Sequence, residues 1–204
     1  MFKIIQDKCN QLIKSFDDID PIRQNKLKEI SEYIQKKLER KEEVNLIYIC
    51  THNSRRSQFG QIWASIAALY YGVINVHFFS GGTEETSFNI NAINALIKSG
   101  FKIDNKTDEK KPKYRVKYGE SHNLICFSKV FDNPINPFQN FAAIMTCSDA
   151  EENCPFIPGA EFRISITYED PKVYDETPMQ EKKYLECSNQ IGLESLFIFS
   201  QIKK

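Results

Sequence analysis

With 204 residues, 41% of them hydrophobic and 12% aromatic, the chain can bury one good core, which excludes wholesale disorder. Lys+Arg and Asp+Glu both total 27, so no global field calls for nucleic acid or an anionic membrane as partner. No apolar run approaches the roughly 20 residues of a membrane span, and the N-terminus lacks a signal-peptide h-region. A soluble, cytoplasmic protein is expected, and its six cysteines read as thiols, with any disulfide transient and catalytic.

The first 43 residues are helical in pattern and heavily charged. Ile4, Ile5, Leu12, Ile13 and Phe16 suggest one helix. Asp20-Pro21 reads as the N-cap and first position of a second, which carries Ile22, Leu27, Ile30, Ile34 and Leu38. The expectation is a helical hairpin covering one side of the core. Leu46-Ile47-Tyr48-Ile49 then reads as a buried strand, and Phe59, Ile62, Trp63, Ile66, Leu69 and Tyr70 as the stripe of an amphipathic helix. Val76-His77-Phe78-Phe79-Ser80 is a second strand closing on Gly81-Gly82, and 88–99 a further helix stopped by Gly100. Strand, helix, strand, helix at this spacing argues for βαβ units and a parallel sheet.

Residues 105–140 are harder to place. Tyr114, Val116 and Tyr118 alternate, Leu124-Ile125-Cys126-Phe127 is apolar, and Asp132-Asn133-Pro134-Ile135-Asn136-Pro137 is loop. A hairpin inside an insertion is the expectation. Phe141-Ala142-Ala143-Ile144-Met145 is a third core strand ending at Cys147, and Phe162-Arg163-Ile164-Ser165-Ile166 a fourth arriving at Asp170-Pro171. From about 176 to 202 the pattern is helical, with Tyr184, Ile191, Leu196 and Phe199 facing the core.

Between the first strand and its helix lies Cys50-Thr51-His52-Asn53-Ser54-Arg55-Arg56-Ser57-Gln58. A turn of this kind points backbone N–H groups inward at the positive end of a helix dipole, which makes an anion site. Arg56 adds a planar charged fork suited to a tetrahedral oxyanion, and the same field favours the thiolate of Cys50. A nucleophile and an oxyanion cradle therefore share one loop. Thr51, His52, Asn53, Ser54, Arg55 and Ser57 would line or brace it, with Arg55 free to face solvent. Downstream, Met145-Thr146-Cys147-Ser148-Asp149-Ala150-Glu151-Glu152-Asn153-Cys154-Pro155 holds two cysteines with six residues between them. That spacing does not suit a metal site, and no metal is expected there. Two unrelated buried thiols and a redox pair both remain open on spacing alone.

Cysteine, five residues, arginine, serine between a strand and a helix resembles the low-molecular-weight protein tyrosine phosphatase superfamily. The fuller string Cys-Thr-x-Asn-Ser-x-Arg-Ser-Gln and the Cys-Ser-Asp-Ala segment resemble its thioredoxin-coupled arsenate reductase branch. The resemblance covers residues 44–204, with 105–140 matching poorly, so 1–43 reads as an extension before a catalytic domain. It implies a three-layer α/β sandwich around a four-stranded parallel sheet. It implies Cys50 as nucleophile, Arg56 as oxyanion ligand, Asp170 as general acid, and Cys147 and Cys154 as the later members of a three-cysteine relay emptied by thioredoxin or a similar dithiol. No cofactor follows from it. Some relatives hold a potassium ion beside the loop with a glutamate early in the helix; here Gln61 stands at that place, so the resemblance does not carry that ion over. The runner-up is a phosphatase using the same Cys50, Arg56 and Asp170, with water resolving a phosphocysteine; an oxyanion binder without turnover is the third reading.

Overall fold

The computed structural model describes residues 1–105, 112–153 and 156–203. Its centre is a sheet of four parallel strands, β1 (Val44–Cys50), β2 (Val76–Gly82), β6 (Phe141–Met145) and β7 (Ala160–Ser165), in the order β2-β1-β6-β7. Every residue of β1 except Asn45 is buried, and successive side chains take opposite faces. Leu46 and Tyr48 join the large cluster under the helices, whereas Ile47 and Ile49 join a smaller one with Phe141, Ala143 and Met145 on the other face.

The larger face is covered by α3 (Arg56–Tyr71) and α6 (Gln180–Ser200), with α4 (Ile90–Lys98) packed against α6. Trp63 of α3 is fully buried and donates its indole N–H to Ser188 Oγ of α6 at 2.9 Å. The indole lies flat on α6 at Gly192, where an added Cβ would come 2.9 Å from the ring. The other face is closed by the short α5 (Ser148–Asn153), whose Ala150 joins the smaller cluster, and by Ile157.

The N-terminal segment forms α1 (Lys3–Leu12), a 3₁₀ turn and α2 (Pro21–Glu39). Asp20 caps α2 through its side chain, accepting from the N–H of Ile22 and Arg23 at 2.9 and 3.1 Å, and Pro21 opens the helix. Ile5, Leu27, Ile30 and Ile34 are fully buried in the same cluster as α3 and α6. A buried ion pair adds direction to this packing. Arg23 of α2 meets Glu194 of α6 through Nε and Nη2 at 2.8–3.1 Å, and the Glu194 side chain is 4% exposed.

The expected hairpin in 105–140 is present as β4 (Tyr114–Lys117) and β5 (Asn123–Cys126). The sequence did not reveal its third member, β3 (Lys102–Asn105), which pairs antiparallel to β4. Its four residues are polar or half-exposed, so it carries no run of apolar residues to announce it. Beyond β5 the chain returns to the main sheet. Gly82 donates its N–H to Lys129 O, and Phe131 donates its own to Gly82 O, both at 2.9 Å.

In urea unfolding, Arg23→Met is expected to cost about 3 kcal/mol, because it strands a buried carboxylate. Asp20→Ala is expected to cost only about 1 kcal/mol, the usual worth of a cap. Equal losses would show that helix formation rather than the buried pair anchors this segment.

Candidate active site

All four central strands end on one side, and the residues that follow them converge there. Between Cys50, the last residue of β1, and Arg56, the first of α3, the chain turns through five residues. The carbonyl oxygens of residues 50–55 are all claimed from outside the turn. Cys50 O accepts from Thr83 N, Thr51 O from Glu84 N, Ser54 O from Asn89 N and Arg55 O from Phe59 N, at 2.8–3.1 Å. His52 O accepts from Ser128 Oγ at 2.8 Å, and Asn53 O from Gln58 Nε2 at 3.0 Å. In a trans peptide the N–H opposes the C=O. Carbonyls turned outward therefore leave N–H groups turned inward, a concavity suited to an anion.

Asn53 makes the bend. Its φ is +47°, a region that asparagine tolerates better than most residues. Its side chain bridges two elements, with Oδ1 accepting from Lys129 N at 3.0 Å and Nδ2 donating to Ser57 Oγ at 2.8 Å. The Lys129 N–H can only donate, which fixes the amide's orientation. Ser57 Oγ lies 3.0 Å from Cys50 Sγ. With Asn53 occupying a lone pair of that oxygen, the hydroxyl proton is left for the sulfur, the arrangement a thiolate needs. Gly82, opposite Cys50 in register, is required by close approach. A Cβ there would lie 2.6 Å from Thr51 O and 2.8 Å from Asn53 N.

Arg56 is 7% exposed. Its Nη1 donates to Tyr168 O at 3.0 Å and its Nη2 meets Asp170 Oδ2 at 2.5 Å. The guanidinium is thereby aimed by the loop after β7, and Asp170 stands on the rim of the turn. Asp170 Oδ1 also accepts from Lys172 N at 3.0 Å and caps the 3₁₀ turn begun by Pro171. Tyr168 is itself anchored, its hydroxyl donating to Glu194 at 2.7 Å with the Arg23 guanidinium 4.8 Å from its ring. Helix α2, α6 and the loop after β7 thus share one buried carboxylate.

Cys147, the second residue beyond β6, is fully buried. Its Sγ lies 3.4 Å from Thr51 Oγ1, and it packs in the same small cluster as Cys50. The strands set this proximity, since Thr146 bonds Ile49 O through both its N–H and its hydroxyl at 2.7–2.8 Å. Cys154 lies outside the described residues. The thiols of Cys9, Cys126 and Cys187 are pushed up to about 12 by burial, which leaves them inert at neutral pH.

Two loop residues sit elsewhere than the sequence suggests. Arg55 does not face solvent. Its side chain is 12% exposed, with Nε donating to the Tyr184 hydroxyl at 2.7 Å and Nη2 3.4 Å from Asp175. It clasps α6 instead of entering the turn. His52 is half-exposed, 3.6 Å from Glu84. Ser54 hydroxyl donates to Ser87 O at 2.7 Å, a bracing contact. Sequence reasoning missed Lys129 and the Tyr184–Asp175 pair, whose roles come from chain segments remote in sequence. Among the described residues, no three His, Cys, Asp or Glu side chains gather as a metal site. No helix of those residues is long and apolar enough to cross a membrane.

No protein-family model matches the chain. It is, however, 31% identical to an arsenate reductase of Staphylococcus aureus (strain Newman) over 127 residues, 62% of this chain and 77% of that relative. The chain belongs to the low-molecular-weight protein tyrosine phosphatase superfamily, in its arsenate reductase branch. An "Arsenate reductase 2" of Staphylococcus epidermidis is 29% identical over the same length and shares. The fold agrees with solved members of the superfamily. A low-molecular-weight phosphotyrosine phosphatase from Vibrio cholerae O395 superposes with TM-score 0.53 at 14% identity, covering 77% of this chain and 95% of its own. An arsenate reductase in its phosphate-binding state gives 0.52 at 15%, covering 78% and 99%. As a member of this superfamily, the chain is an enzyme of reductase or phosphatase type.

At mildly acidic pH, iodoacetamide should label Cys50 far faster than Cys9, and inorganic phosphate should protect it. Gly82→Ala should abolish that protection while leaving far-UV circular dichroism unchanged, because its methyl collides with the turn's own backbone. Retained protection in that variant would mean that the turn is not the anion site.

Proposed function

We propose that this chain reduces arsenate to arsenite through a three-cysteine relay, with residues 44–204 carrying the chemistry and 1–43 bracing it. Arsenate lies in the turn, its oxygens on the inward N–H groups and on Arg56. Cys50 attacks arsenic, and Asp170 protonates the oxygen that departs as water, giving a thiolate–arsenic(V) adduct. Cys147 then attacks the sulfur of Cys50. A sulfur–sulfur bond forms, the sulfur–arsenic bond breaks, and its electron pair stays on arsenic, which leaves as arsenite. Arsenic gains two electrons and two thiols lose them. Cys154 attacks Cys147 in turn, freeing Cys50 and moving the disulfide to Cys147–Cys154, which a thioredoxin-type dithiol reduces.

The observation that supports the relay over hydrolysis is Cys147 Sγ lying 3.4 Å from Thr51 Oγ1, inside the cluster that holds Cys50. A phosphatase resolving its intermediate with water has no use for a second buried thiol beside the turn. Likeness to curated arsenate reductases points the same way.

Asp170→Asn should slow the first chemical step by roughly 10²–10⁴-fold while phosphate still binds; near-normal turnover would move the acid elsewhere.

Cys147→Ser should block repeated turnover of arsenate with thioredoxin and leave hydrolysis of an aryl phosphate nearly intact. Cys154→Ser should complete one round and stall with a Cys50–Cys147 disulfide in a non-reduced peptide map. If both variants reduce arsenate at the wild-type rate, the relay is not used and the phosphatase reading leads.

A further inference from the structure

Lys129 is 2% exposed and has no carboxylate within ion-pair distance among the described residues. Its Nζ lies 3.5 Å from Ser80 Oγ and 4.8 Å from the centroid of the Phe127 ring. Cys126 beside it does not serve as a counter-ion, since burial pushes that thiol up to about 12. Burying an unpaired ammonium is costly; here burial lowers the lysine to about 8. Proteins keep such a group where its charge has a use.

Its position shows the use. The Lys129 backbone is bonded to the turn's own supports, its N–H to Asn53 Oδ1 and its C=O to Gly82 N. The ammonium reaches back to Ser80, two residues before Gly82. Two strand residues span about 6.6 Å, so the charge sits just behind the turn. Ser80 Oγ in turn donates to Gln61 Oε1 at 2.7 Å, and Gln61 Nε2 donates to Phe78 O at 3.0 Å. This is the place where a potassium ion would be expected from some relatives. The residues present do not fit one, because the carboxylate is replaced by an amide already engaged at both ends, and an ammonium occupies the neighbourhood.

We propose that Lys129 is the resident cation of the oxyanion turn, a positioning residue that makes anion binding independent of any monovalent metal ion. The proposal rests on the oxyanion-turn reading, and not on the relay. A unit charge about 8 Å from the bound anion, at the effective dielectric of about 20 that suits protein sites, is worth roughly 10–30-fold in affinity.

The test is the phosphate concentration that half-protects Cys50 from iodoacetamide, measured at one ionic strength in potassium, sodium and choline chloride. The wild type should give the same value in all three. Lys129→Met should weaken protection roughly 10–30-fold with the urea midpoint unchanged or raised, since it removes a buried charge and leaves the backbone contacts. A lysine with only a structural role would lower the midpoint and leave phosphate affinity alone. Lys129→Gln should regain part of the lost affinity in potassium but none in choline. Wild-type affinity rising tenfold with potassium overturns the proposal without any variant, and so does wild-type affinity in Lys129→Met. Absence of protection of the wild type in every salt would instead bring down the oxyanion-turn reading, and this proposal with it.

Discussion

The site depends on hydrogen bonds that lie outside it. Six successive carbonyls, those of residues 50–55, are each held by a donor from β2's extension, α4's cap, α3 or the segment after β5. An unsupported turn of this kind would relax, because inward N–H groups repel one another and lose water without a partner of their own. Fixing the carbonyls transfers that cost to the scaffold. An anion then meets donors that need no reorganisation, which is where electrostatic catalysis finds its advantage. Asn53 carries the largest share, with backbone, Oδ1 and Nδ2 all engaged.

A second chain of contacts ties the N-terminal segment to the same place. Arg23 holds Glu194, Glu194 holds the Tyr168 hydroxyl, and the Tyr168 carbonyl holds Arg56. Each link is a charge-assisted or charged-group hydrogen bond in a largely desolvated setting, where geometry is strict. The extension therefore does more than cover apolar surface. Through these contacts it is tied to the loop that carries Asp170.

What could be read from the sequence was local. The Cys50-to-Ser57 string, the Asp20-Pro21 helix start and the buried run of β1 depend on residues adjacent in the chain, so pattern and propensity reach them. That Asp170 follows a strand could be read from the strand's period, whereas the acid role expected of it came from the family resemblance. The remainder arises from tertiary partners. Arg55 looked like a surface arginine because Tyr184 and Asp175, which hold it, are remote in sequence. Lys129 sits between Ser128 and Val130 in a stretch with no helical or strand period, where a lysine ordinarily faces water. Nothing in that neighbourhood signals that its ammonium is drawn inside. The strand β3 escaped for the opposite reason: it is too polar and too short to look buried.

The complete burial of Cys147 bears on how an adduct at Cys50 would partition. Small monothiols in solution could also resolve such an adduct, leaving a mixed disulfide that stops the cycle. A thiol already lodged against the turn competes with them at an effective concentration no solute can match. On the proposed relay, the same packing that hides Cys147 from solvent would favour the internal exchange over off-pathway thiolysis, by having the partner in place before substrate arrives.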